Sequence, residues 1–259
     1  FDEDLRTRAV GRLGTERMLR RAIDEDRLRV NYQPIIDLRT SSTVAAEALV
    51  RIWDPDQTEL IGAQSFIEVA EETGLLATID DWVLRHVIDQ AMTWRHEFAD
   101  SAFGDIAINA TSRHIADAGF AQSVIDDLAA HHLAPDALQI EVTERVLMEA
   151  SNSAMSGLKS LRAAGVKVGL DDFGTGYSSL SYLRLFPLDF VKIDQSFIQT
   201  LAVGGTGRAI VASVVELSHA HGMAVAPPTE ADRAADLRAH VELRLKFDRA
   251  NARAHLRAR

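Results

Sequence analysis

The stretch that decides the fold is VGLDDFGTGYSS, residues 168–179. Apolar residues alternate with Lys167 and Gly169 around its start, which predicts a short buried strand. This strand ends on the adjacent carboxylates of Asp171 and Asp172, and a loop with two glycines follows. A strand end that opens into a polar loop is where parallel α/β folds place functional residues. Adjacent carboxylates repel each other unless a cation or a proton lies between them. The alternative is an Asp-rich turn that caps the next helix.

Strand and helix patterns alternate on both sides of this stretch. Strands are predicted at residues 28–36, 44–52, 106–109, 138–142, 190–193 and 223–226. Helices are predicted at residues 15–26, 63–72, 79–98, 120–131, 153–164 and 207–220, with Thr15 capping the first. This alternation indicates a parallel barrel or a doubly wound sheet. The barrel is favoured because polar residues stand at the ends of many strands and not at one crevice.

Composition narrows the class of protein. The chain has 259 residues, enough for one large domain or two small ones. It contains no cysteine, which excludes disulfides and thiolate metal sites and fits a cytoplasmic protein. No apolar run approaches the ~20 residues of a membrane span, and no signal peptide is visible. A net charge of −10 without a basic stripe argues against DNA or RNA as partner, but not against a phosphate ligand held by metal ions.

Polar residues interrupt several predicted strands at positions where core-facing residues are expected. They are Glu47, Asn109, Glu141 and Lys192, and Glu144 follows three residues after Glu141. Each alone has a structural explanation. Glu47 could pair with Arg51 along its strand, and Asn109 could satisfy backbone groups in a turn. Lys192 could likewise pair with Asp194, and Glu144 could cap a helix.

Together, these residues favour a metal site. In a barrel their strand ends converge on one mouth, where carboxylates and an amide oxygen would face a shared cavity. An all-oxygen ligand set suits Mg²⁺ or Mn²⁺ better than Zn²⁺ or Cu²⁺. Two such ions ~3.5–4 Å apart are suited to phosphodiester hydrolysis, because they polarise the phosphoryl oxygen and lower the pKa of a bridging water. Lys192 could steady that water or the departing alkoxide.

Several motifs in register resemble one known family, the EAL-domain phosphodiesterases that cleave the bacterial second messenger cyclic di-GMP. The motifs are QPI (33–35), EALVR (47–51), INAT (108–111), EVTE (141–144), DDFGTGYSS (171–179) and KID (192–194). Their order and spacing agree with the family from about residue 13 to residue 225. The resemblance implies a modified eight-stranded barrel whose first strand is antiparallel to the others. Pro34 lying away from the central ladder agrees with this arrangement.

The resemblance also implies the catalytic residues, position by position. The ligands of one metal ion would be Glu47, Asn109, Glu141 and Asp171, and those of a second would be Asp171 and Asp172. Either Mg²⁺ or Mn²⁺ would serve. Lys192 is similar to the family lysine that orients the water, so Lys192, Glu47 and Asp171 are the implied catalytic group. The implied reaction is hydrolysis of one 3′–5′ phosphodiester to give linear pGpG.

Further contacts follow from the same resemblance. Gln33, Leu49 and Arg51, together with Asn109, resemble residues that bind the nucleotide. Glu144 is similar to the residue that steadies the loop at residues 173–181. In the family that loop couples metal binding to dimerisation, so a homodimer is expected.

The sequence departs from the family pattern after the last predicted strand. It reads APPTE at residues 226–230 where the family has Ala-Glu-Gly-Val-Glu-Thr, so the first glutamate of that motif has no counterpart. The last βα unit is therefore expected to be atypical or missing. We interpret residues 1–13 as a linker from an upstream GGDEF or sensor domain, 14–230 as the EAL domain and 231–259 as an atypical C-terminal segment. Two functions follow, a metal-dependent phosphodiesterase or a receptor that binds cyclic di-GMP without cleaving it. A third alternative is an inert spacer with a decayed site.

Overall fold

The computed structural model describes residues 2–37, 42–97, 105–173, 185–194 and 206–226. The strands are β1 (Leu28–Asp37), β2 (Ser42–Asp54), β3 (Glu59–Gly62), β4 (Asp105–Asn109), β5 (Leu138–Thr143), β6 (Lys167–Phe173), β7 (Phe190–Ile193) and β8 (Ala224–Ala226). The α-helices are α1 (Asp2–Asp24), α2 (Ile67–Glu72), α3 (Leu76–Glu97), α4 (Ser112–Ala116), α5 (Phe120–Ala130), α6 (Glu144–Met148), α7 (Asn152–Ala164) and α8 (Thr206–Ala220). Short 3-10 turns lie at Ala63–Ser65 and Pro135–Ala137.

One sheet runs in the order β1-β2-β4-β5-β6-β7-β8, and β3 pairs with β2 beside this path. The first strand, β1, is antiparallel to β2, and from β2 to β8 each neighbouring pair is parallel. The predicted α/β alternation and the antiparallel first strand are therefore confirmed. The atypical last βα unit, expected after residue 226, lies outside the described residues.

The sheet is strongly curved. In the sheet order, β2 and β7 are four steps apart, which would separate them by ~19 Å in a flat sheet at ~4.8 Å per step. Yet Lys192 Nζ on β7 lies 3.0 Å from Glu47 Oε2 on β2. Two extended side chains cannot span such a gap, so the strands must curl around a common interior.

The central strand β6 divides its side chains between two environments. Val168 and Leu170 are buried in the apolar core. Gly169 and Asp171 point to the opposite face, which is the interior enclosed by the curved sheet. The preceding helix, α7, ends at Gly165, whose φ of 103° lies in the left-handed region that favours glycine. The predicted helix end at this glycine is confirmed.

Several elements differ from the sequence-based expectations. Helix α1 begins at Asp2, so Thr15 lies inside the helix and is not its cap, and its Oγ1 donates a hydrogen bond to the carbonyl of Gly11 at 3.2 Å. The extent of the linker at residues 1–13 stays a prediction. The predictions also missed β3, α4 and α6, which have 4, 5 and 5 residues and are too short to show a hydrophobic period.

Candidate metal centre and substrate site

Three carboxylates from three strands meet at one point of the enclosed interior. They belong to Glu47 on β2, Glu141 on β5 and Asp171 on β6, and each offers an oxygen within 4.8 Å of the others. Lys192 on β7 donates hydrogen bonds to Glu141 Oε2 at 2.7 Å and to Glu47 Oε2 at 3.0 Å. Its Nζ also lies 3.3 Å from Asp171 Oδ1. The predicted convergence of these four residues is thus observed.

The cluster is held away from water. Glu141 is 0% exposed and Lys192 is 3% exposed. Burial raises the pKa of Glu141 to about 8, against the lowering influence of Lys192. Burial also raises the pKa of Asp171. For the Lys192 ammonium, burial lowers the pKa, but the carboxylates, Glu141 first, outweigh it and raise the pKa above its ordinary value.

The donor set fits a hard divalent cation. Glu141 Oε1 is buried and has no hydrogen-bond partner among the residues that the structure describes. A buried carboxylate oxygen without a partner is costly, and a cation would satisfy it. When they are ionised, the three clustered carboxylates carry more negative charge than one ammonium neutralises, and a bound cation would favour their ionised forms. Oxygen ligands of this kind suit Mg²⁺ or Mn²⁺.

Asn109 and Asp172 flank the cluster differently. Asn109 ends β4, and its Nδ2 donates a 3.2 Å hydrogen bond to Glu47 Oε1, which brings its side chain to the cluster. Asp172 is exposed and has a φ of 52°, and its carboxylate is not part of the group of three. Although the residue is exposed, its pKa is raised to about 6, first by partial desolvation of its carboxyl group and then by the charges of Asp171 and Asp194. Its assignment as a metal ligand stays a prediction.

The predicted nucleotide contacts continue from the cluster along β2. Gln33 on β1 is the register partner of Glu47. Leu49 and Arg51 lie two and four residues after Glu47, so they occupy the same face of β2. All three predicted contacts are half-buried. Arg51 Nη1 donates a hydrogen bond to the carbonyl of Val50 at 2.8 Å, and burial lowers the pKa of its guanidinium while Glu47 raises it.

Glu144 is the buried first residue of α6, directly after β5. The loop that it was expected to steady, from residue 174 to residue 181, lies outside the described residues. Its role toward that loop and the predicted homodimer therefore stay predictions.

The ring of Phe190 forms an apolar floor of the site, which the sequence pattern did not predict. Gly169 on β6 and Phe190 on β7 are register partners, and the aromatic ring lies against the glycine backbone. Both residues stand two positions before a member of the charged cluster, on the same face of their strands. Glycine inside a strand pattern is a signal for such a close approach and could have indicated it.

Comparisons with known proteins agree with this geometry. A model of the EAL domain matches residues 16–226. The bifunctional diguanylate cyclase/cyclic di-GMP phosphodiesterase MucR of Pseudomonas aeruginosa is 36% identical over 84% of this chain and 31% of its own length. The cyclic di-GMP phosphodiesterase NbdA of the same organism is 36% identical over 84% of this chain and 28% of its own length. The solved PaMucR phosphodiesterase in complex with c-di-GMP has a TM-score of 0.77 and 33% identity, covering 90% of this chain and 92% of that one.

The chain belongs to the EAL-domain family, and its fold is the TIM-like barrel of that family. It spans about a third of the length of the two curated relatives. Among the described helices, none combines the length and the hydrophobicity that a membrane span requires.

Proposed function

We propose that the protein is a metal-dependent phosphodiesterase that hydrolyses one 3′–5′ phosphodiester of cyclic di-GMP to linear pGpG. The observation that carries the proposal is the buried meeting of Glu47, Glu141 and Asp171 around Lys192. MucR and NbdA, each 36% identical to this chain, are both named as cyclic di-GMP phosphodiesterases. This similarity supports cyclic di-GMP as the substrate.

The chain's own residues would hold the ions at the carboxyl ends of the strands. Glu47, Asn109, Glu141 and Asp171 would bind one cation, and Asp172 would join Asp171 at a second. Bound Mg²⁺ or Mn²⁺ would supply Lewis acidity toward the phosphoryl oxygen and lower the pKa of a coordinated water. The shortage of positive charge in the cluster is the physical reason why cations would bind there.

Lys192 would serve as an electrostatic and orienting group. Its raised pKa keeps the ammonium charged at neutral pH, and it donates hydrogen bonds. With the carboxylates engaged by cations, the ammonium would be available to donate to the attacking water or to the departing alkoxide. Such charge stabilisation is strong in a site from which water is excluded.

Recognition of the nucleotide would take place next to the cluster, further along the face of β2 that carries Glu47. Arg51 presents a cation suited to a phosphate or a guanine edge, and Leu49 and Gln33 flank it. These residues share a face with Glu47, so a ligand bound there would place a phosphate next to the carboxylates. We further propose a cytoplasmic homodimer that associates through residues 173–181 and follows an upstream GGDEF or sensor domain.

A second candidate is a receptor that binds cyclic di-GMP without cleaving it. The sequence at residues 226–230, which lacks the first glutamate of the family motif, favours this function. Retention of the carboxylate cluster, of Asn109 and of Lys192 favours the enzyme.

The deciding experiment incubates the protein with Mn²⁺ or Mg²⁺ and cyclic di-GMP and follows pGpG by chromatography. The enzyme forms pGpG, and Glu47→Ala abolishes its formation because a metal ligand is lost. Glu59→Ala, which removes an exposed carboxylate on the neighbouring β3, should retain activity. Tight binding in calorimetry with no product over hours would identify the receptor. Full activity of Glu47→Ala would contradict the assignment of the site.

A further inference from the structure

A second polar cluster lies between α3 and α4, outside the carboxylate site. His114 on α4 is 9% exposed, and its Nε2 lies 3.3 Å from Asp81 Oδ1 on α3. Its Nδ1 lies 3.6 Å from Asp80 Oδ2. The imidazole also stacks on Phe120, with ring centroids 4.6 Å apart and planes at 9°. The ring is therefore fixed from three sides.

Thr111 connects this cluster to the end of β4. Its Oγ1 accepts a hydrogen bond from the backbone N–H of His114 and also contacts the carboxylate of Asp80. Thr111 stands two residues after Asn109. The residue between them, Ala110, donates its N–H to the carbonyl of Glu141 at 2.8 Å. Only one residue, Ala110, therefore separates Thr111 from Asn109, whose side chain reaches the carboxylate site.

Helix α4 needs such an anchor. It has five residues, little more than one turn, and a helix of that length is not stable without tertiary contacts. Its N-terminus sets the direction in which the chain leaves β4. Asn109 is exposed, so no packing against the core fixes its side chain. The Asn109 side chain is oriented so that its Nδ2 donates to Glu47. This orientation depends on the backbone at the end of β4, which α4 holds in place.

The polar residues of this cluster are poorly suited to packing alone. Asp80 Oδ2 is buried and lacks a hydrogen-bond partner among the described residues. Burial raises the pKa of Asp80 to about 7 and lowers the pKa of His114. An apolar pair would fill the same space without these desolvation costs. What the polar groups add is direction, because hydrogen bonds and charges fix one geometry.

We propose that His114 is a positioning residue whose imidazole, through Asp80 and Thr111, holds Asn109 in the geometry required to bind the cation. The inference rests on the proposed function, because it assumes that Asn109 is a metal ligand. Groups that orient a metal ligand from outside the coordination sphere typically change metal affinity 10–100-fold when removed. The imidazole acts through two further residues, Asp80 and Thr111, so a change at the lower end of this range, about tenfold, is expected.

The test measures Mn²⁺ affinity by calorimetry in the absence of nucleotide. His114→Leu should bind Mn²⁺ about tenfold more weakly than the parent. His114→Gln, which retains a side-chain hydrogen-bonding group, should recover most of the affinity. The matched control is His131→Leu, because His131 also faces an α3 carboxylate, that of Asp89 at 4.0 Å, but lies far along the chain from Asn109. Equal affinities for His114→Leu and the parent, or equal losses for both leucine variants, would overturn the proposal.

Two further measurements keep the proposal testable if His114→Leu fails to fold or if the parent protein binds no Mn²⁺. If His114→Leu does not fold, Thr111→Val tests the same connection and should lose Mn²⁺ affinity; parent-like affinity would overturn the proposal. If the parent binds no Mn²⁺, the proposed function fails, and the side-chain amide signal of Asn109 in ¹⁵N-asparagine-labelled, metal-free protein decides. That signal, assigned with Asn109→Asp, should shift in His114→Leu and not in His131→Leu. An unchanged signal in His114→Leu would refute the positioning role.

Discussion

The ring of Phe190 lies so close to the backbone of Gly169 that a Cβ atom on the glycine would stand 2.1 Å from Phe190 Cζ. The two residues are register partners on β6 and β7. Two positions further along the same faces stand Asp171 and Lys192. The ring is therefore an apolar neighbour of the charged cluster on the same face of the sheet.

Gly169→Ala should destabilise the protein. The added methyl group would overlap the Phe190 ring, and overpacking of a core typically costs about 1–3 kcal/mol. Urea unfolding measures the loss. The control is Gly157→Ala on α7, where the nearest atom to a new Cβ is Ala121 Cβ at an ordinary 3.8 Å. That change should be neutral or stabilising by up to about 1 kcal/mol, because alanine favours helix. Equal unfolding midpoints for both variants would contradict the close contact.

Lys192→Met should destabilise the metal-free protein more strongly. It removes the ammonium from among three clustered carboxylates, and breaking a buried ion pair typically costs about 3–5 kcal/mol. Chemical unfolding in the presence of a chelator gives the value, and Lys159→Met, an exposed change on α7, is the control. Added Mn²⁺ should recover part of the loss, since it restores positive charge. Parent-like stability in chelator would show that the ammonium is not the counter-charge of the cluster.

Mn²⁺ should raise the thermal midpoint of the parent and leave Glu141→Gln unaffected. A ligand at 100 times its Kd stabilises a folded protein by about 2.7 kcal/mol. Glutamine cannot ionise, so it removes the carboxylate that would bind the ion at the most buried position of the cluster. Thermal scans with and without Mn²⁺ provide the measurement, and Glu68→Gln, on the exposed side of α2, should respond as the parent does. An equal rise in Glu141→Gln would place the bound ion elsewhere.

Asp80 should make stability depend on pH. Its folded-state pKa of about 7 is above the ordinary 3.8, so the folded protein holds this proton more tightly than the unfolded chain does. The stabilisation that comes from the protonated Asp80 is fully present below pH 3.8 and is lost as the pH rises through about 7. Its charged neighbours are Asp81 and His114. Between pH 5 and pH 8 the parent should lose about 2–3 kcal/mol more than Asp80→Asn.

Urea unfolding at the two pH values measures this difference. Asp136→Asn, an exposed change in a 3-10 turn, should retain the pH dependence of the parent. If Asp80→Asn loses as much stability as the parent between pH 5 and pH 8, Asp80 is not the group that titrates.

The order of the main strands was predictable because each contains a run of apolar residues. Strand β7, for example, was expected at the four residues where it lies. In contrast, β3 follows the turn after Asp54 and exists through its pairing with β2, which places Leu60 opposite Trp53. That pairing is a tertiary contact without a local signal. The helical start at Asp2 was missed because the many charges in residues 1–13 obscured the helical spacing of Leu5, Ala9 and Leu13.

Convergence of the carboxylates was predictable from the chemistry of single residues. Glu141 is a charge inside an apolar strand, and such a charge must find a partner. The cluster around His114 was missed because its acids stand on α3, more than 30 residues earlier in the sequence. The floor formed by Phe190 was missed because an aromatic residue in a strand is ordinary core.

Strand β2 carries both the cluster residue Glu47 and the half-buried Arg51, on one face and four positions apart. A single inserted or deleted residue between them would turn one of the two side chains to the opposite face of the sheet. Under the proposed function, affinity for the nucleotide and capacity to cleave it would both depend on this one continuous segment, so a length change there would separate the two properties, whereas a substitution at Arg51 alone would change the affinity.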